Sequence, residues 1–213
     1  MNIKLEEEIR QVFLTESRAI MNIPVTDHYA EAVDLIYEHV HKRRGKLITS
    51  GLGKAGEIAH SIATLFSSTG TPSVFLHPSE AQHGDLGVIQ ENDVLLIVSN
   101  SGETREVIEL LDLAEKMYPE MPAILICGNE HSRLWKRSAI CLSTGTPEEV
   151  CPLGLAPTTS TTVMAAIGDA LVVLMMRKTG FTKEEYAKRH HGGYIGYKLR
   201  NGEADTDSGT VRG

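Results

Sequence analysis

Short apolar runs alternate with helical periodicity along most of this chain. Asp93 opens an unbroken apolar run ending at Val98, with the length and β-branched content of a strand buried on both faces. Ser99-Asn100-Ser101-Gly102-Glu103-Thr104 connects it to residues 105–117, where Val107, Leu110, Leu111 and Ala114 recur at helical spacing. The same alternation predicts strands at 47–49, 73–76, 123–127 and 139–142, with a helix at 55–68. A long, nearly all-apolar helix over 158–179 is expected to be central or at a subunit interface. Ahead of the first strand, residues 2–21 carry Leu5, Ile9, Val12, Phe13 and Ile20 as a loose apolar stripe, which Pro24 breaks. A second helix starts at Thr26, places Ala30, Val33, Tyr37 and Val40 on one face, and ends at Gly45.

Alternation of this kind implies an α/β fold: a five-stranded parallel sheet with right-handed crossovers, flanked by helices on both faces. Two helices ahead of strand one exceed what an open sheet needs, so residues 1–45 are expected to pack on the domain or on a neighbouring subunit. Residues 46–200 form the domain proper, and 201–213 read as a loose polar tail. Ligands of parallel sheets sit beyond the carboxyl ends of the strands, where the strand order reverses. The unusual loops, 50–56, 77–87, 99–104 and 144–162, each follow a strand and should converge there.

Composition removes some function classes. The 213 residues suit one domain, and a formal net charge of −7 without a basic stripe argues against nucleic acid. Cys127, Cys141 and Cys151 show no paired short spacing, so neither a disulfide framework nor a zinc site is expected. The N-terminus carries no charged-then-apolar signal. Residues 163–176 are the most apolar, but that segment is short for a bilayer and contains Asp169. The expectation is a cytoplasmic protein without a membrane partner.

Several loops carry chemistry. In residues 99–104 a strand, a small polar turn and a helix start bring hydroxyls and free N–H groups to the positive end of a helix dipole, which suits a phosphate. A plain helix start, capped by Ser101, explains the same residues. Glu103 is anomalous, because a carboxylate beside a phosphate repels it. Gly51-Leu-Gly53-Lys54-Ala-Gly56 matches G-x-G-x-x-G, yet strand two ends in Leu76-His77-Pro78 without the acidic residue a dinucleotide site needs. A tight strand-to-helix turn with Lys54 near a bound anion is the other reading. His83 lies in a compact polar loop, His83-Gly-Asp-Leu-Gly87, where a lone histidine is usually structural. Five consecutive hydroxyl residues, 158–162, both cap the long helix and can bind anions. His190-His191 are adjacent, which points the rings apart and favours a single-residue role over a metal motif.

Together these segments resemble the sugar isomerase (SIS) domain. The resemblance rests on Thr49-Ser-Gly-Leu-Gly-Lys-Ala-Gly56, Gly70-Thr-Pro72, His77-Pro78, His83-Gly-Asp-Leu-Gly87, Ser99-Asn-Ser-Gly-Glu103, Cys151-Pro-Leu-Gly-Leu-Ala-Pro-Thr158 and Gly168-Asp169-Ala. It runs from about Lys46 to Leu199 and is greatest to the D-arabinose 5-phosphate isomerase branch. It implies a flavodoxin-like three-layer sandwich and interconversion of D-ribulose 5-phosphate and D-arabinose 5-phosphate. That step supplies 3-deoxy-D-manno-octulosonate (Kdo) for lipopolysaccharide or capsule.

Carried over by matching position, the resemblance implies catalytic roles for Lys54, His83, Glu103, Glu149 and His190. It implies substrate and phosphate binding by Ser50, Gly51, Ser99, Asn100, Ser101 and Thr104. The family's final His-Pro-Gly-Gly reads His190-His191-Gly-Gly here, which leaves the choice between His190 and His191 open. Many relatives continue into paired cystathionine-β-synthase-type modules; this chain stops before them, so regulation by them is not expected. Feedback by nucleotide-activated octulosonate (CMP-Kdo) would then act at the active site. The reaction needs proton transfers through an enediol and stabilisation of an oxyanion, with no cofactor or metal. Clustered histidines would let zinc bind and inhibit. A homo-oligomer, as a tetramer built from dimers, is expected. The alternatives are another isomerase of this fold, acting on a heptose or hexulose phosphate, and a non-catalytic sugar-phosphate sensor.

Overall fold

The computed structural model describes residues 3–191, so the expected tail and Gly192-Gly193 lie outside the described residues. Five strands, β1 (Leu47–Ser50), β2 (Ser73–Phe75), β3 (Val94–Val98), β4 (Ala123–Cys127) and β5 (Ile140–Ser143), form one parallel sheet of order β2-β1-β3-β4-β5. This is the five-stranded parallel arrangement that the alternating pattern predicts. Leu47 pairs with Val94 and Leu95 with Ala123, and all of β3 is buried.

The helices are α1 (Ile3–Met21), α2 (His28–Ile36), α3 (Gly53–Ser68), α4 (Pro78–Ala81), α5 (Arg105–Met117), α6 (Arg133–Arg137), α7 (Thr159–Thr179) and α8 (Lys183–Arg189). Because side chains alternate along a strand, β3 feeds two cores. Val94, Leu96 and Val98 pack with α2, α3 and α7, whereas Leu95 and Ile97 pack with α4, α5 and α6. Each such side chain contributes roughly 2 kcal/mol by leaving water. Three layers result.

Differences from the pattern have local causes. The second helix begins at His28 and loosens into a π-helical turn at Tyr37–Lys42, so it ends before Gly45. The helices α4 and α6, and a 3-10 turn at Asp85–Val88, are too short to show periodicity. Helix α7 corrects one expectation: at 21 residues it is long and apolar enough to cross a bilayer by length and composition. Val163, Met164, Ile167, Leu171, Val172 and Met175 nevertheless face the core, and Gly168 meets Ile62 of α3. Helix α1 lies against α7 and buries none of its own residues; Ile3, Phe13 and Met21 are largely exposed.

Candidate active site

Strands β1 and β3 are neighbours in the sheet, but the chain leaves β1 for one face of the sheet and β3 for the other. That divergence opens a crevice at their carboxyl ends. A cleft of about 290 Å³ lies there, lined by Leu52, Lys54 and Ala55 from the start of α3. Residues 98–101 and Thr104 line it from the β3–α5 loop, as do Pro157, Ser160, Thr161 and Met164 from the start of α7. Close backbone approach shapes its floor. A Cβ on Gly51 would stand 2.7 Å from the Val98 carbonyl, and one on Gly56 would stand 2.7 Å from that of Gly51. The glycines of the G-x-G-x-x-G string are therefore accounted for by a tight strand-to-helix turn.

Neither α3, with Leu52 at its N-cap, nor α5, with Thr104, has a side-chain cap hydrogen bond. Their first-turn N–H groups are left for a ligand, at the positive ends of two helix dipoles. Lys54 adds an exposed cation on the same wall. The loop is shaped by its own hydroxyls. Ser99 Oγ accepts from the Gly102 N–H (3.1 Å) and pairs with Thr104 Oγ1 (3.4 Å), and Ser101 Oγ accepts from the Glu103 N–H (3.2 Å).

The third helix is filled from within. Glu149 Oε2 accepts from the Thr158 N–H (2.8 Å), Thr158 Oγ1 (3.0 Å) and the Ser160 N–H (3.3 Å). Its Oε1 accepts from the Ser160 hydroxyl. Burial raises the Glu149 pKa, but these hydrogen bonds outweigh it and hold the carboxyl below its ordinary range.

Of the residues implied by resemblance, Lys54, Ser99, Asn100, Ser101 and Thr104 line the cleft, and Glu149 lies one hydroxyl behind it. Ser50 and Gly51 lie beneath it; the fully buried Ser50 hydroxyl donates to the Leu76 carbonyl at 2.7 Å. Glu103 is not part of the lining. Arg133 grips it through Nε (2.6 Å) and its own N–H (2.7 Å), and those bonds lower its pKa. His83 sits exposed in the turn after α4 and does not line the cleft. His190 follows α8 and stacks on Tyr186 at 3.7 Å, with Nδ1 2.9 Å from the Tyr186 carbonyl. Phe181 and Arg189 pack at Gly70, ahead of β2, so this segment lies toward the amino ends of the strands. Ser160, Thr161 and Met164 were not among the residues implied. Their spacing within the hydroxyl-rich helix start is the signal that singles out one face. Among the described residues, no group of three or more His, Cys, Asp or Glu side chains is arranged to hold a metal ion.

Comparison with known proteins agrees with this architecture. Over 201 residues the chain is 39% identical to the arabinose 5-phosphate isomerase KdsD of Yersinia pestis, covering 92% of this chain and 59% of that protein. The chain spans about half the length of the curated relatives it matches. A crystal structure from Bacteroides fragilis NCTC 9343, described as a candidate phosphosugar isomerase involved in capsule formation, is 60% identical. It superposes with a TM-score of 0.88, over 91% of this chain and all of that one. The Escherichia coli CFT073 protein c3406, solved in complex with arabinose 5-phosphate, is 32% identical with a TM-score of 0.82, over 88% of this chain and 98% of that one. The SIS domain profile matches residues 39–174, which include every residue lining the cleft. By that match, over more than half its length, this chain belongs to the SIS domain family.

Proposed function

We propose that the chain is an aldose–ketose isomerase interconverting D-ribulose 5-phosphate and D-arabinose 5-phosphate. The observation that carries this reading is the cleft itself: two uncapped helix starts and a lysine at the strand-order reversal, in a chain that resembles a protein bound to arabinose 5-phosphate along most of its length. The start of α5, with Ser101, Thr104 and Asn100, receives the phosphate. Lys54, at the start of α3, offsets negative charge on the enediolate oxygen. A base removes the C1 proton of the ketose, an enediol forms as protons move between O1 and O2, and a proton returns to C2. Glu149, kept ionised by its four hydrogen bonds, reaches this path directly or through Ser160, which lines the cleft.

His83 and His190 do not line the cleft of their own chain. With the exposed apolar stripe of α1, that placement supports a homo-oligomer, a tetramer, in which these histidines approach the cleft of a neighbouring copy. We place the enzyme in the cytoplasm, where its product feeds Kdo synthesis for lipopolysaccharide or capsule. Feedback by CMP-Kdo acts at this cleft, and failure to compete with substrate would remove it.

The test is incubation with D-ribulose 5-phosphate in deuterated buffer containing a chelator, followed by NMR. Arabinose 5-phosphate appearing with solvent deuterium at C2 is expected. Saturable binding without product would replace the isomerase by a sensor or an isomerase of another sugar phosphate.

A further inference from the structure

The segment from the end of β4 into the first turn of α6 braces four consecutive residues of the β3–α5 loop. Gly128 N–H donates to the Asn100 carbonyl (3.1 Å), Asn129 Nδ2 to that of Ser101 (3.2 Å) and Leu134 N–H to that of Gly102 (3.2 Å). Gly102 has φ +63°, and a Cβ there would stand 2.1 Å from Ser132 Oγ, so the loop is moulded onto this segment. The fourth tie differs in kind. Both carboxylate oxygens of Glu103 are taken by Arg133, one by Nε and one by the backbone N–H.

Glu103 lies between Ser101 and Thr104, two residues that line the cleft, yet it is not itself on the wall. A carboxylate free at that position would repel a phosphate a few ångströms away. We infer that Arg133 is a positioning residue: by holding both oxygens of Glu103, it keeps that charge off the phosphate loop. This rests on the reading that the loop receives a phosphate. An exposed ion pair contributes little to stability, and Arg133 is well exposed, so its effect is expected in binding and not in folding.

The probe is inorganic phosphate, titrated calorimetrically into the full chain, with unfolding temperature recorded without ligand. Arg133→Ala is expected to weaken phosphate binding about fivefold, the size of one water-screened like-charge contact at about 4 Å. Arg133→Lys, which restores a cation, should recover part of that loss. The decisive variant is the double one, Arg133→Ala with Glu103→Gln. It should bind phosphate more tightly than Arg133→Ala alone, because the released charge is gone. A double variant as weak as the single one, or a single variant that binds like the wild type, overturns the inference. Phosphate binding that follows this pattern supports it even if D-ribulose 5-phosphate is not isomerised, an outcome that counts against the proposed reaction alone.

Discussion

Ser160 stands between Glu149 and the cleft: its hydroxyl donates to the Glu149 carboxylate while the residue itself lines the wall. One acidic group thereby both caps α7 and faces the reaction space at one remove. Glu149→Gln is expected to lower stability by about 1 kcal/mol, as lost helix caps do. Turnover should fall by more than substrate affinity. Urea unfolding and steady-state kinetics check both, and unchanged turnover would dismiss Glu149 from proton transfer.

Acid should act through the same carboxylate. The folded-state pKa values of Glu149 and Glu103 lie below the ordinary value, Glu149 through the net effect of its hydrogen bonds against burial and Glu103 through Arg133. The folded state therefore binds fewer protons than the unfolded one as pH falls past about 4.3. Glu149 carries most of this stabilisation, because the Glu103 pair is exposed; it is complete above that pH and is lost as pH drops through the folded-state value. Thermal unfolding between pH 3 and 7 should show this decline, with a shallower slope in Glu149→Gln.

Lys54→Met removes the cation and keeps the aliphatic stem at an exposed position. Unfolding temperature should hardly move, whereas kcat/KM should fall by about two orders of magnitude, as when one preorganised oxyanion partner is lost. Kinetics with saturating and limiting sugar phosphate separate the oxyanion role from a phosphate role: the first lowers kcat, the second raises KM.

Far from the site, Asp93 ties β1 to β3. Fully buried, it accepts from Lys46 Nζ (2.7 Å), the Lys46 N–H (2.8 Å) and the Gln90 N–H (2.7 Å). Asp93→Ala leaves those donors unmatched and should destabilise by roughly 3 kcal/mol in urea unfolding.

Thiol alkylation should be ordered by environment. Burial pushes Cys141 up to about 11 and raises Cys127 as well. At Cys151 burial acts in the same direction, but N–H groups of Ala156 and Leu155 donate to the sulfur and bring the net pKa below the ordinary value. Limited iodoacetamide at pH 8, read by peptide mass, should label Cys151 first.

The sheet was legible because each strand is a contiguous apolar run, and β4 and α5 fall where the pattern puts them. Element type follows from local periodicity, but hydrogen-bond partners do not. Nothing in the order of residues says that Glu103 is spoken for by Arg133, thirty positions away, or that the Ser50 hydroxyl is spent on Leu76. The β3–α5 loop could be picked out because its residues are contiguous. The α7 wall was seen only as a run of hydroxyls, because which of them face the cleft depends on the rotation of the helix. His83 and His190 belong to the motifs, but one chain folded on itself does not gather them.

Three helices begin around the cleft, and one of them is already supplied with an anion by the protein. The anionic groups of a ligand meet two open dipoles; the third is closed to them while Glu149 keeps its hydrogen bonds. An anion aimed at the start of α7 is in this way refused by occupancy. An inhibitor with an anionic group placed there would have to dislodge a side chain of the protein, where one directed at the starts of α3 and α5 displaces only solvent.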